Sequence, residues 1–349
     1  MELLPITFLN KVYTAQKETT LFGKWISFKN IEKLFSKHSN SFKISQIGTS
    51  EENIPIMSLQ IGTGKKRILL WSQMHGNEST GTKALFDLFN CFSNCSDTYF
   101  KQILKECTLL IIPMLNPDGS LAYTRVNARG IDLNRDAVNR KAKESKLLRS
   151  ILEKFNPNFC FNLHDQRTIF GVEGTKNPAT ISFLAPSEEE TRAITEGRKQ
   201  TMNVIVGMNK VLQKVIPNCV GRYTDEFYPT ATGDNFQKLG FNTILIESGH
   251  YPNDYDREES RKYTFFAILQ GMYHIATTND FSTYDEYFDI PNNQKLFFDV
   301  IHRYFSDSEY VAYQFEDTII NGKLVSKLQK VDETNLDAKI GHSEIVFVK

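Results

Sequence analysis

The sequence predicts an α/β protein whose sheet is covered by helices on both faces. Its strand-like segments, such as "RILLWSQM" and "CTLLIIPML", are continuous apolar runs instead of alternating polar and apolar residues. Runs of this kind indicate strands that are buried on both sides. Helical segments such as "STGTKALFDLFNCF" and "SKLLRSILEKF" lie between them. This alternation is typical of a sheet between two helical layers.

Composition and charge narrow the class of function. The chain has 349 residues, 40% of them hydrophobic, and its 41 Lys and Arg residues balance 41 Asp and Glu residues. A net charge of zero leaves no basic field that could gather nucleic acid or an anionic membrane surface. We therefore expect neither partner and instead a small or neutral substrate.

Changes in composition and hydrophobic pattern along the chain predict three parts. Residues 1–45 are predicted to form a polar helical segment, residues 46–284 the main α/β domain, and residues 285–349 a small C-terminal α+β or β unit. In the last part, "NNQKLFFDVIHRYF" is predicted as a short helix and is followed by β-prone runs. Asn321-Gly322 between two such runs predicts a β-hairpin.

Cysteine usage and the N-terminus predict a cytoplasmic protein. The five cysteines are odd in number and lack zinc-ribbon spacing, so we expect free thiols in a reducing compartment. The first residues lack the pattern of a secretory signal, and no apolar run reaches the ~18 residues of a membrane span.

Polar side chains follow four of the apolar runs. His75 and Glu78 come after "RILLWSQM", Asn116 opens "NPDG" after "CTLLIIPML", His164 ends "FCFNLH", and Glu247 follows "NTILI". Ligands of covered α/β sheets bind beyond the carboxyl ends of the strands. We therefore expect these groups to meet at one edge of the sheet.

Two histidines and a carboxylate form a ligand set that suits catalytic zinc. His75, Glu78 and His164 would leave a fourth position open for water. Glu247 is then free to act as a general base on that water. Each residue has an ordinary alternative, since a single histidine after a strand is usually structural and Glu247 alone could be a buried ion pair. Their joint occurrence at strand ends favours the metal site.

The segment "TRVNARGIDLNRD" supplies a candidate site for an anionic substrate group. Arg125 and Arg135 carry guanidinium groups that can fork onto a carboxylate, and Asn134 can add a donor. A surface loop with solvated charges is the alternative. The other histidines, His38, His250, His274, His302 and His342, have no comparable context.

The order of these motifs resembles the zinc metallocarboxypeptidases of the carboxypeptidase A type. The resemblance rests on "HGNE", "NPDG", the Arg125 to Arg135 segment, "NLHDQ" and "LIES", and it spans about residues 69–249. It implies a mixed, mostly parallel sheet of about eight strands, one zinc ion per chain, and cleavage of the C-terminal residue from a peptide.

The resemblance also implies a role for each site residue. His75, Glu78 and His164 would be the zinc ligands, and Glu247 the general base. Arg125 would stabilise the oxyanion. Asn134 and Arg135 would hold the terminal carboxylate of the substrate, and Tyr228 is the best candidate for the mobile substrate-binding tyrosine. Gly76 is expected to let the backbone turn tightly between the two ligands.

The sequence departs from the digestive enzymes of this family at Asn77, where those enzymes carry a substrate-binding arginine. "HGNE", "DLNR" and "IES" also look like the aspartoacylase and succinylglutamate desuccinylase group, which hydrolyses N-acyl amino acids with the same zinc set. "LNPDG" and the long separation between His164 and Glu247 favour a peptidase, whereas a C-terminal β unit favours the acylases. An inactive zinc-binding scaffold is a further alternative.

Overall fold

The computed structural model describes residues 1–304, 309–332 and 336–347. Its strands are β1 (Lys43–Thr49), β2 (Pro55–Ile61), β3 (Lys66–Trp71), β4 (Cys107–Ile112), β5 (Phe159–Asp165), β6 (Phe170–Val172), β7 (Ile181–Leu184), β8 (Val220–Arg222), β9 (Asn242–Ser248), β10 (Asn293–Lys295), β11 (Phe297–Tyr304), β12 (Glu309–Ile320), β13 (Lys323–Val331) and β14 (Ile340–Phe347).

The α-helices of the described residues begin in the N-terminal segment and continue between the strands. They are α1 (Ile6–Gln16), α2 (Phe28–Ile31), α3 (Thr80–Asn94), α4 (Thr98–Glu106), α5 (Pro117–Ala122), α6 (Lys143–Phe155), α7 (Glu196–Leu212), α8 (Thr232–Lys238) and α9 (Glu258–Thr277). Short 3₁₀ helices span Glu32–His38, Leu133–Arg135, Ser282–Asp289 and Leu336–Ala338. None of these helices is both long and apolar enough to span a membrane.

Eight strands form one mixed sheet in the order β1-β2-β4-β3-β5-β9-β7-β8. The central strands β4, β3, β5 and β9 run parallel, β7 and β8 pair parallel, and the remaining neighbours pair antiparallel. The predicted fold class is thus confirmed. Because β3, β5 and β9 are parallel, their carboxyl ends lie at the same edge and bring their following residues together.

Alternate residues of β3 enter two different cores. Ile68 and Leu70 pack with α3, α4, α7 and α9 on one face of the sheet. Leu69 and Trp71 pack with α6 and α8 on the other face. All four side chains are fully buried, which is why the strand is an uninterrupted apolar run.

A buried ion pair ties α3 to α9. Arg261 donates from Nε to Asp87 Oδ2 at 2.7 Å and from Nη2 to Asp87 Oδ1 at 2.6 Å, and neither side chain is exposed. Its other guanidinium protons reach the backbone oxygens of Glu18 and Leu21 and, at 3.1 Å, Glu258 Oε2. This pair therefore fastens the N-terminal segment to the helix that begins directly after the HGNE motif.

The last part of the chain forms a second sheet in the order β13-β12-β11-β14. The predicted hairpin is confirmed, since β12 and β13 are joined by Asn321 and Gly322, both with positive φ. The predicted helix over 292–305 is wrong in its described residues. These form β10 and β11, because an apolar run this short fits either period and its neighbours β6, β12 and β14 supply strand partners. The three-part division of the chain stays a prediction.

Candidate active site

The HGNE motif leaves β3 through a strained turn. Gln73 adopts a left-handed φ of 52°, and its side chain amide donates to the carbonyl oxygens of Ile26 and Gly76. Gly76 lies in a tight turn, as expected, which the hydrogen bond from the Glu78 N–H to the His75 carbonyl oxygen closes at 3.1 Å, and its φ is not positive. A Cβ there would lie 1.9 Å from the backbone carbon of Gly119 at the start of α5. Glycine is required because "HGNE" and "NPDG" pack backbone against backbone.

The three candidate metal ligands converge. Nδ1 of His75 lies 2.8 Å from Glu78 Oε1, Nδ1 of His164 lies 2.8 Å from Glu78 Oε2, and the two Nδ1 atoms are 3.1 Å apart. All three side chains are buried. Two imidazole nitrogens and a carboxylate that face one point fit the donor set of a catalytic zinc site.

The charges of this cluster depend on each other. Burial alone would raise the pKa of Glu78, but the two histidines lower it far below its ordinary value. Burial lowers the pKa of His164. An ionised carboxylate and a neutral imidazole are the forms that bind a metal ion.

Asp132 supports the candidate ligand His75, a role that its position in the sequence does not indicate. Its Oδ1 lies 3.1 Å from His75 Nε2, the ring nitrogen that faces away from the other ligands. The same carboxylate accepts from Arg125 Nε at 2.9 Å and from the backbone N–H of Asn134 at 2.9 Å. Burial opposes its charged form, yet His75 and Arg125 lower the pKa of Asp132 well below its usual range. A carboxylate behind a metal-binding histidine orients the ring and raises its basicity.

We expect Asp132→Asn to weaken zinc binding by roughly 10- to 100-fold. The amide keeps the shape of the side chain but removes the charge behind His75. Competition with a chromophoric chelator measures the affinity. Asp136→Asn is the matched control, since this carboxylate of the same loop accepts only from backbone N–H groups of Lys141 and Ala142. An affinity in Asp132→Asn that equals the wild type would exclude this role.

Glu247 lies next to His164 in the sheet. The two residues are register partners on the neighbouring parallel strands β9 and β5. Oε2 of Glu247 is buried and has no hydrogen-bond partner among the described residues. Burial and the negative charges of Glu78 and Asp165 raise the pKa of Glu247 well above its ordinary value. A carboxyl group in such an environment has a high proton affinity, which suits a general base.

Arg125 reaches the ligand cluster from the solvent side. Its Nη1 lies 3.2 Å from His75 Nδ1 and 3.4 Å from Glu78 Oε1, and 46% of its side chain is exposed. The guanidinium is held in this direction by its bond to Asp132. A positive charge is thus available where a substrate carbonyl would approach the metal.

The predicted carboxylate-binding residues lie around the start of α8. Asn134 accepts from the backbone N–H of Thr232 at 3.0 Å, and Arg135 extends from the same 3₁₀ helix into solvent. The hydrogen bond to Glu226 raises the pKa of Tyr228, and burial raises the pKa of Asp234 to about 6. The positive charge of Arg135 opposes both shifts. Tyr228 is exposed, and its hydroxyl donates to Glu226. The structure thus places Asn134, Arg135 and Tyr228 in one region.

A cavity of about 410 Å³ lies beside the metal ligands, and we call it the side cavity. Glu78 and Arg125 line it where it meets the ligand cluster. The C-terminal sheet forms another of its walls with residues of β11 and β12, namely Asp299, Gln314, Phe315, Glu316 and Asp317. Asn77 and His250 also line it. No local sequence signal pairs these segments, because they are distant along the chain.

The sheet thus carries a buried His₂Glu set and a neighbouring carboxyl group at its carboxyl edge. The zinc carboxypeptidase family model matches residues 29–212, more than half of the chain, and the chain belongs to this family. Glu247 and the C-terminal sheet lie beyond the matched residues.

Curated relatives share only part of their length with this chain. "Carboxypeptidase 2" of Trichophyton tonsurans is 22% identical over 143 residues, which cover 41% of this chain and 26% of the relative. "Carboxypeptidase SOL1" of Arabidopsis thaliana is 26% identical over 186 residues, which cover 48% of this chain and 37% of the relative. The chain thus spans between about a fifth and just over a third of the length of the curated relatives it matches.

Solved structures share the fold. A putative carboxypeptidase from Burkholderia mallei superposes with a TM-score of 0.59 at 16% identity, over 72% of this chain and 68% of that chain. Carboxypeptidase A from Helicoverpa armigera superposes with a TM-score of 0.57 at 17% identity, over 78% of this chain and 81% of that chain. At these identities the likeness shows the fold alone.

Proposed function

We propose that the protein is a zinc-dependent carboxypeptidase that removes the C-terminal residue from a peptide with a free carboxylate. The observation that carries this proposal is the convergence of His75, Glu78 and His164 next to the unpartnered carboxyl group of Glu247. These groups are the minimum set for metal-assisted hydrolysis, namely three ligands and a separate base.

Bound zinc would lower the pKa of a water molecule to about 7 and polarise the carbonyl group of the substrate. Glu247 Oε2 would take the proton from the attacking water and pass it to the leaving amine. Arg125 would donate to the carbonyl oxygen as negative charge develops there. Its place against His75 and Glu78 puts that donor within reach of the reacting group.

Asn134, Arg135 and Tyr228, which we call the carboxylate clamp, would bind the terminal carboxylate of the substrate. The Arg135 guanidinium and the Asn134 amide lie together near α8. The guanidinium would supply a positive charge for the carboxylate, and both groups would donate hydrogen bonds to it. Fixing the chain end in this way would allow only the last peptide bond to reach the ligand cluster.

A deacylase for N-acyl amino acids is the second candidate. The observation in its favour is the C-terminal sheet, which forms one wall of the side cavity next to Glu78. The same ligands and base would serve both reactions, so the two functions differ in the group that occupies the side cavity.

A substrate panel with zinc-loaded protein tests the proposal. Peptides with a free C-terminal carboxylate should lose one residue. The same peptides with a C-terminal amide should not be cleaved, and protein treated with a chelator should cleave neither form.

We expect Arg135→Ala to raise KM for the free acids by about 10- to 100-fold, because a charge-assisted hydrogen bond is lost. Equal turnover of acids and amides would contradict the clamp, and hydrolysis of N-acyl amino acids alone would establish the deacylase. No hydrolysis by zinc-loaded protein would indicate an inactive scaffold.

A further inference from the structure

The side cavity reaches the ligand cluster without reaching the carboxylate clamp. Its described lining includes Glu78 and Arg125, but none of Asn134, Arg135 and Tyr228. If the terminal carboxylate of a substrate binds at the clamp and the scissile bond lies at the metal ligands, the remainder of the substrate must continue into another space. The side cavity is the space that adjoins the ligands.

We propose that the side cavity receives the amino-terminal part of a short peptide and recognises its free ammonium group, so that the substrates are dipeptides and tripeptides. This inference rests on the proposed carboxypeptidase function. It adds the substrate class, and it assigns the C-terminal sheet as the wall that sets substrate length.

The size of the cavity limits the substrate. Small-molecule sites occupy roughly 300–1,000 Å³, and the side cavity of about 410 Å³ lies near the lower end. An extended peptide advances by about 3.3 Å per residue, so a longer chain would have to pass the wall formed by β11 and β12. Lys24 forms an ion pair with Asp317 of that wall, which ties the wall to the N-terminal segment.

Two buried oxygen atoms of residues that line this cavity have no hydrogen-bond partner among the described residues, and both are hydrogen-bond acceptors. Gln314 donates from Nε2 to Asp299 Oδ2 and Thr168 Oγ1, both at 2.6 Å, which fixes the orientation of its amide. Its Oε1 is buried and has no partner in the described parts of the chain. The same holds for Asp165 Oδ1, whose other oxygen accepts from Thr80. Both residues line the side cavity. Buried acceptors without partners favour a ligand that donates hydrogen bonds.

Charge favours a cationic group over an anionic one. The lining holds four cationic side chains and six acidic ones, namely Glu78, Asp165, Asp254, Asp299, Glu316 and Asp317. Of the cations, Lys24 pairs with Asp317, Arg125 pairs with Asp132, and Arg257 donates to the backbone oxygens of Ser248 and Gln166, which leaves the exposed Arg167. Among the acids, Glu316 is exposed and Asp165 keeps one oxygen free. An α-ammonium group carries three donors and a positive charge, and it would satisfy these acceptors.

Matched peptides test the inference. For dipeptides with one C-terminal residue, N-acetylation should lower kcat/KM by roughly 10- to 100-fold, and peptides of eight residues should be cleaved more slowly than dipeptides and tripeptides. Calorimetry with zinc-loaded Glu247→Gln gives a second readout without turnover. The free-amine dipeptide should bind at least about tenfold more tightly than its acetylated form.

Two variants locate the effect. Asp165→Asn can keep the bonds from Thr80 but replaces the free acceptor by a donor, so the preference for the free amine should disappear while zinc content and Tm report the fold. Arg167→Gln removes an exposed cation of the lining and should leave the preference for the free amine unchanged.

Equal cleavage and binding of free and acetylated forms, or of long and short peptides, would overturn the inference. Loss of N-succinyl substrate turnover in Arg167→Gln would also overturn it, in favour of an anionic group. Absence of all hydrolysis with the binding preference retained would instead refute the carboxypeptidase function.

Discussion

Glu247→Gln should lower kcat by about 10²- to 10⁴-fold, the usual contribution of a positioned general base. Glutamine keeps the size of the side chain but cannot accept the proton of the attacking water. The effect should be largest on kcat, because Glu247 is not one of the three converging ligand side chains. Steady-state kinetics on the best substrate of the panel measures it.

Glu78→Gln is the matched control for this prediction. Both changes convert a buried carboxyl group to an amide at the same edge of the sheet, but Glu78 contacts both histidines. Metal analysis should therefore find about one zinc ion per chain in Glu247→Gln and a substoichiometric amount in Glu78→Gln. Turnover by Glu247→Gln at the wild-type rate would remove Glu247 from the mechanism, and loss of its zinc would make it a ligand instead.

Asp87→Ala should lower the free energy of unfolding by roughly 3 kcal/mol, because it removes the nearer of the two carboxylates that pair with a buried guanidinium and leaves only Glu258, at 3.1 Å. Arg261 has no exposed side chain surface, and two of its nitrogens donate to Asp87. The backbone N–H of Glu18 would lose its acceptor as well. Urea denaturation measures the change.

The control for Asp87→Ala is Glu286→Ala, which breaks the ion pair with Lys210. Both side chains of that pair are 37% exposed, so its removal should cost at most about 1 kcal/mol. A loss of stability in Asp87→Ala that is no larger than in Glu286→Ala would show that the buried pair is dispensable. In that case the joint between α3, α9 and the N-terminal segment depends on apolar packing.

The parts of the site that follow strands could be predicted from the sequence. A fully buried strand has a plain apolar signature, and the polar residue that ends it stands out, as with His75, His164 and Glu247. The pairing of β3, β5 and β9 then brings these strand ends to one edge of the sheet.

The parts that depend on loops and distant contacts could not be predicted. Asp132 lies inside the quoted "GIDLNRD", but only the folded loop turns it towards His75. Residues of β12 and of the HGNE motif line the same side cavity, and no local sequence pattern indicates that such distant segments lie together. Residues 292–304 were assigned to a helix because their strand partners lie in other parts of the chain.

The close contact between Gly76 and Gly119 has a consequence for the tolerance of the protein to mutation. A Cβ at Gly76 would meet the backbone of Gly119 and Ser120, and a Cβ at Gly119 would meet the Asn116 side chain and the Val126 backbone oxygen. A methyl group at Gly76 would push the HGNE and NPDG segments apart and carry His75 and Glu78 with it, and one at Gly119 would displace Asn116, which donates to the Met74 carbonyl oxygen next to His75. In a saturation screen scored on zinc retention, these two glycines should therefore be as intolerant as the ligands themselves. Mutations that abolish zinc binding would thus also fall on residues whose side chains cannot coordinate a metal ion.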